Sequence, residues 1–170
     1  AFLKHIKKSA QKEFQLELLP VISGHIGKVY NEDANSLVKR ICGDVLYLDP
    51  PYNARQYCSN YHVLETIAKY DNPELRGLRN SSNQKSAFCS KRLVKEAFNN
   101  LIKNANFHYI FLSYNNEGLM SLEMIQEIMS RYGEYSYFTR EYKRFKADRE
   151  ENRNIVADST TEYLHCLVKK

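Results

Sequence analysis

The sequence predicts an α/β fold built on a largely parallel sheet. Three observations carry that expectation. Apolar runs alternate with segments of helical period, as in "DVLYL", "KRLVKEAFNNLI", "FHYIFLSYN" and "SLEMIQEIM". Residues 45 to 48, Val45-Leu46-Tyr47-Leu48, are apolar without a break, the pattern of a strand buried on both faces. That run stops at Asp49-Pro50-Pro51-Tyr52, an acid and a turn at a strand's carboxyl end, where ligands bind in folds of this class.

The chain has 170 residues, 43% of them hydrophobic, which suits one domain with a real core. A net charge of +5 permits a polyanionic partner without requiring one. Thirteen tyrosines accompany no tryptophan; tyrosine stacks on bases, but it also fills half-buried strand positions. Cys42, Cys58, Cys89 and Cys166 are scattered and form no CxxC pair, so neither a zinc site nor a redox motif is expected, and no metal ligands are assigned. Free thiols fit a reducing cytoplasm. No signal peptide and no membrane-length apolar run occur.

Taken in order, "AFLKHIKKSAQKEF" reads as a helix with Phe2, Leu3, Ile6 and Ala10 on one side and lysines largely on the other. "LLPVISGHIGK" reads as a loop. It is not a phosphate loop, because the spacing is short and Val29 follows the lysine. "KVYNED" (28–33) is expected to form a short strand and "ANSLVKRI" (34–41) a short helix. "NYHVLETIAKY" (60–70) is a helix stopped before Pro73, and residues 71–89 are a polar, mobile loop. Ser90 is expected to cap a helix whose stripe is Leu93, Val94, Ala97, Phe98, Leu101 and Ile102. "FHYIFLSYN" is a second buried strand. Ser121 caps the next helix, which presents Leu122, Ile125, Met129 and Tyr132 on one face and stops at Gly133. "YSYFTREY" and "EYLHCLVK" are the last strands, antiparallel neighbours because only a charged loop (143–160) joins them.

The chemistry of Asp49 to Tyr52 is specific. Prolines have no N–H and cannot continue a central strand, so they stiffen the turn and leave carbonyls outward. A carboxylate and a nearby carbonyl make a fixed pair of acceptors for the two hydrogens of a nucleobase amine. Holding those hydrogens localises the nitrogen lone pair for attack on an electrophilic methyl group. Tyr52 offers a flat face for the base, and stacking of this kind is worth ~1–3 kcal/mol. A base in a duplex must be flipped out to reach such a site.

This constellation resembles motif IV of the amino-methylating DNA methyltransferases. The resemblance extends over most of the chain, through "KVYNEDANSL", "GDVLYLDPPYNARQYCSNYHVLETIA", "YIFLSYNNEGLMS", "EYKRFKADR" and "EYLHCLVK", which are similar to the C-terminal part of Dam-type and restriction-system adenine methyltransferases. It implies a Rossmann-like, S-adenosyl-L-methionine-dependent fold and methyl transfer to the N6 amine of adenine in double-stranded DNA. Asp49 and the Pro50 carbonyl would accept from the target amine, Pro51 would shape the turn, and Tyr52 would stack on the flipped adenine. Asp33 either lies near the cofactor's adenine or caps "ANSLVKRI"; Asp49 also borders the cofactor side. Asn53, Arg55, Tyr57, Asn60 and Tyr61 would hold the flipped nucleotide and its phosphates, though Tyr61 serves equally as a packed helix residue. Ser113, Tyr114 and Asn115 either line the pocket or end a strand. His62 is read as structural. Arg140, Lys143, Arg144, Lys146, Arg149 and Arg153 are candidate phosphate contacts or a solvated loop, since acids interleave with them.

The family's glycine-rich motif, Phe-x-Gly-x-Gly, is not in the sequence, and the chain begins with Ala1. The expectation is a catalytic part lacking its first strands: residues 1–28 ending a target-recognition region or linker, and 29–170 forming the C-terminal part of the catalytic domain. A fragment, a disrupted reading frame or one part of a split enzyme would fit, with a separate N-terminal half as partner and weak or no cofactor binding alone. The missing strands would leave one edge open. Alternatives are a non-catalytic module that binds DNA or a methyltransferase half, and cytosine-N4 methylation, where similar enzymes more often carry Ser at position 49. Ring-carbon methylation needs a Pro-Cys pair, which does not occur.

Overall fold

The computed structural model describes residues 11–13, 15, 17–24, 26–71, 75–76, 79–80, 85–143 and 159–170. The chain divides into two compact units, Ala1–Asn31 and Glu32–Lys170. The described residues of the first are exposed and form no α-helix or β-strand. The amphipathic helix expected at the start falls largely on residues outside the described set.

The second unit runs α1 (Ala34–Leu37), β1 (Cys42–Leu48), α2 (Tyr57–Asn60), α3 (His62–Lys69), β2 (Leu75–Arg76), β3 (Arg79–Asn80), a 3-10 turn (Ala87–Cys89), α4 (Val94–Asn104), β4 (Asn106–Asn115), α5 (Leu122–Met129), β5 (Gly133–Lys143) and β6 (Ser159–Lys169). Four strands make one mixed sheet in the order β1-β4-β6-β5, and β2 pairs with β3 in a small antiparallel ladder. β1 and β4 are parallel, with Leu46 opposite Ile110 and Leu48 opposite Leu112. β6 is antiparallel to both of its neighbours, and its pairing with β5 is the one expected of the last two strands.

The core lies on one side of this sheet. Ile110, Leu112 and Tyr114 alternate inward from β4, and Val94, Ala97, Phe98, Leu101 and Ile102 meet them from α4. α5 adds Ile125, Ile128 and Met129. Each such large side chain contributes about 1.5–3 kcal/mol on burial. Lys169 ties β6 to the end of α4, where Nζ donates to the carbonyls of Ile102 (2.8 Å), Lys103 (3.0 Å) and Ala105. It satisfies carbonyls that a helix end leaves without partners.

The other face is different. Pairing sets Val45 beside Tyr109 and Tyr47 beside Phe111, with Val168 and Cys166 following on β6. Val45 is 55% and Tyr47 61% exposed. Tyr109, Phe138, Leu164 and Val168 are also exposed. The apolar run was expected to be buried on both faces. Instead β1 is an edge strand of the described sheet, and every second side chain stands uncovered.

Other expectations shift locally. Residues 28–33 form no strand, and Tyr30 is exposed. The helix expected over 60–70 is broken at Tyr61 into α2 and α3, and it ends on Tyr70 in the left-handed region (φ 53°). Residues 71–89 include β2, β3 and the 3-10 turn rather than loop alone. Ser90 does not cap α4 with its side chain; its carbonyl accepts from Leu93 and Val94, Leu93 is the capping position, and Leu93 stays exposed. Ser121 does cap α5, accepting from the Met124 amide at 3.2 Å. Gly133 opens β5 instead of stopping α5, and a Cβ there would lie 2.0 Å from the Val168 carbonyl oxygen. No described helix is long and apolar enough to cross a membrane.

Candidate active site

The site is built where the parallel pair ends. Because Leu48 faces Leu112, the next residues, Asp49 and Ser113, emerge side by side at the carboxyl edge. The two prolines have no amide hydrogen to carry the ladder past Leu48, so the chain turns there.

Within the turn, the Tyr52 hydroxyl donates to Asp49 Oδ1 at 2.9 Å. Asp49 is exposed, Pro50, Pro51 and Tyr52 are half-buried, and Tyr52 packs against the core cluster. Burial pushes the Tyr52 phenol up to about 12; the Ser113 hydroxyl opposes that shift by hydrogen bonding, and the Asp49 carboxylate adds to it. Tyr52 is therefore a neutral O–H donor at any physiological pH. Its bond occupies one oxygen of Asp49; Oδ2 has no partner among the described residues.

Behind Tyr52 stands Tyr114, fully buried, with the rings edge to face at 5.1 Å and 68°. Its hydroxyl accepts from the amides of Leu119 (3.0 Å) and Met120 (3.3 Å). The Leu119 amide also reaches the Tyr52 carbonyl at 3.0 Å. One N–H thus joins the turn after β1 to the loop after β4. Gly118 makes room for this packing, since a Cβ there would fall 2.1 Å from the Tyr114 ring.

The segment after the motif is held by local and distant bonds. Asn53 Oδ1 accepts the Arg55 amide at 2.9 Å, an Asx turn. Gln56 donates to the Ser86 carbonyl (3.2 Å) and accepts its amide (2.8 Å). Buried Cys89 donates through Sγ to the Arg55 carbonyl at 3.5 Å. These bonds leave the Arg55 side chain exposed, with no ion-pair partner among the described residues. The Tyr57 and Tyr61 rings stack at 5.4 Å on the surface, with exposed Asn60 between them in sequence. Asn115 braces its own loop: Oδ1 accepts the Glu117 amide at 3.1 Å and Nδ2 reaches Glu162 at 3.5 Å.

Asp49, Pro50, Pro51, Tyr52 and Ser113 are therefore brought together, with Asn115 at the end of β4. Asp33 is not hydrogen-bonded to this group; it caps α1, accepting the Ser36 amide at 3.0 Å. Of the candidate phosphate contacts, Arg140 stacks over the Tyr142 ring at 5.2 Å and Lys143 ends β5; Arg144, Lys146, Arg149 and Arg153 lie outside the described residues. The sequence offers Tyr114 as pocket lining or a strand end, not as the buried ring behind Tyr52, and it assigns no role to Gly118, Leu119, Gln56 or Glu162. Strand alternation could have placed Tyr114 inward, but nothing in the sequence pairs Gln56 with Ser86, thirty residues away.

A mixed α/β sheet carries the acid–proline–proline–tyrosine turn at the end of its parallel pair, consistent with a methyltransferase fold; the sheet is not largely parallel as expected, because β6 runs antiparallel to both of its neighbours. Residues 1–128 match the family model described as D12 class N6 adenine-specific DNA methyltransferase, and the chain belongs to that family. It is 56% identical over 173 residues to the Type II methyltransferase M.NlaIII of Neisseria lactamica, covering 99% of this chain and 51% of that protein. It is 43% identical over 176 residues to the Type II methyltransferase M.FokI of Planomicrobium okeanokoites (99% and 27%). With the Type II methyltransferase M.CviAII of Paramecium bursaria Chlorella virus 1 it shares 36% over 167 residues (96% and 49%). The chain thus spans about half, or in one case about a quarter, of these relatives' length. No solved structure matches it significantly.

Proposed function

We propose that this chain carries the target-base site of a site-specific DNA methyltransferase that modifies the exocyclic N6 amine of adenine in double-stranded DNA. The reading extends to a modification enzyme of a restriction system, in keeping with the names of its relatives. The carrying observation is the Asp49–Tyr52 turn: an exposed carboxylate, anchored through Oδ1, at the carboxyl end of the parallel pair.

In this reading Asp49 Oδ2 and the Pro50 carbonyl accept the two hydrogens of the target amine and localise its lone pair. Pro51 holds the turn. Tyr52 stacks on the flipped base, backed by Tyr114. Ser113 and Asn115 border the base. Asn53 shapes the turn that carries Arg55, and Arg55, Tyr57, Asn60 and Tyr61 contact the displaced nucleotide and its phosphates. The exposed Tyr57–Tyr61 stack supports this as a platform for a flanking base.

S-adenosyl-L-methionine, when bound, supplies the electrophilic methyl group. The residues present suit its amino and hydroxyl donors, since Asp33 and Asp49 are exposed carboxylates that each accept one hydrogen bond through Oδ1. Asp33 would hold the cofactor's adenosine end and Asp49 would border its reactive end.

The fold we infer is Rossmann-like, with its first strands and glycine-rich motif supplied by a further N-terminal part, within one polypeptide or as a separate half. The uncovered face of Val45, Tyr47, Tyr109, Leu164 and Val168 supports this, because helices cover both faces of doubly wound sheets. Four free thiols suit a cytoplasmic setting.

The test is N6-methyladenine formation, read by mass spectrometry of digested DNA, using the whole protein that contains this chain and Asp49→Ala. Loss of at least about 100-fold in turnover supports the reading. Unchanged methylation would overturn it, and DNA binding without methylation by the unsubstituted protein would favour a binding module.

A further inference from the structure

We propose that Tyr114 is the positioning residue of this site and acts through Tyr52 on the rotamer of Asp49. The inference rests on the adenine-methylating reading and deepens it.

Two rings and one carboxylate form a chain of contacts. Tyr114 is fully buried and cannot touch a base itself. Its ring meets the Tyr52 ring edge to face at 5.1 Å, which limits rotation of the Tyr52 plane. Its hydroxyl takes the Leu119 and Met120 amides, and the Leu119 amide is shared with the Tyr52 carbonyl. Tyr52 is thereby fixed at its backbone and at its ring. Its own hydroxyl then donates to Asp49 Oδ1 at 2.9 Å. A carboxylate held at one oxygen presents the other in one direction.

The arrangement gives Tyr52 two separable jobs. The ring face stacks, and the hydroxyl orients the catalytic carboxylate. Phenylalanine at position 52 keeps the first and loses the second. Phenylalanine at position 114 keeps the edge contact but releases the Met120 amide and half of the Leu119 bridge. Gly118 belongs to the same device, because any side chain there would push Tyr114 away from Tyr52.

The experiment is a double-mutant cycle in the whole protein, with Tyr52→Phe, Tyr114→Phe and the pair, beside Asp49→Ala. Methyl transfer is measured under single turnover, affinity for target DNA separately, and thermal midpoints confirm folding. Both single variants are expected to lose about tenfold in the methyl-transfer rate with DNA affinity within about twofold, because small misplacement of a reacting group is expensive in rate while stacking persists. The double variant is expected to be no slower than the slower single one, since both act on one carboxylate. Multiplicative losses, or a Tyr114→Phe rate equal to that of the unsubstituted protein, would overturn the proposal. Asp49→Ala separates the two levels: if it leaves the rate intact, the reading of the site fails; if it abolishes transfer while the cycle is multiplicative, only the positioning role fails.

Discussion

The Gln56 side chain clasps the backbone of Ser86 with both ends of its amide, donating to the carbonyl at 3.2 Å and accepting the N–H at 2.8 Å. It imitates one rung of a β-ladder between the motif loop and the segment before α4. Gln56→Ala should lower stability by about 1–2 kcal/mol, the range for a lost hydrogen-bonded pair that leaves half-buried backbone groups exposed. Under the proposed function, in the whole protein it should raise the KM for DNA more than it lowers kcat, because the clasp positions residues 53–61 rather than Asp49. Denaturant midpoints and steady-state kinetics check the two halves of this expectation.

Gly118→Ala should be costly for a residue on a surface loop. Its Cβ would lie 2.1 Å from the Tyr114 ring, so the ring or the loop must move. A loss of about 1–3 kcal/mol is expected, as for other overpacked sites. A thermal melt together with the near-ultraviolet tyrosine signal reads it; an unchanged midpoint would contradict the packing described.

His165 makes the fold sensitive to acid. It is fully buried on β6, with Nδ1 2.8 Å from the Tyr135 hydroxyl and Nε2 without a partner among the described residues. Burial lowers its pKa from 6.5 to about 4. Since the unfolded chain binds the proton more readily, the fold loses nothing above pH 6.5. Stability then falls as pH drops from 6.5 toward 4, by about 3 kcal/mol at 1.36 kcal/mol per unit. Urea midpoints across that window should show the slope, and His165→Gln should flatten it.

Tyr47→Glu probes the uncovered sheet face. Tyr47 is 61% exposed, so the stability of this chain should change by no more than about 0.5 kcal/mol. Association with a part bearing the glycine-rich motif should weaken by at least about tenfold if that face is where it docks, as desolvating a carboxylate at an apolar contact disfavours binding. Sedimentation of the two parts mixed together measures it.

By itself the sequence determined the α/β class, the α4 stripe from Val94 to Ile102 but not its start, the Ser121 cap, the antiparallel ending and the Asp49–Tyr52 turn. Each is a local property: apolar period, capping chemistry or proline's missing donor decides it within a few residues. Only the tertiary structure decided that Val45 and Tyr47 stand uncovered, because a continuous apolar run looks the same whether one face or two is packed. Likewise "KVYNED" has strand-forming residues but no neighbouring strand among the described residues, and a strand exists only where a partner takes its hydrogen bonds. The packing of Tyr114 behind Tyr52 and the clasp of Gln56 on Ser86 escaped the sequence for the same reason. Their partners lie 62 and 30 positions away, and chain folding alone brings Tyr52 and Ser86 within reach.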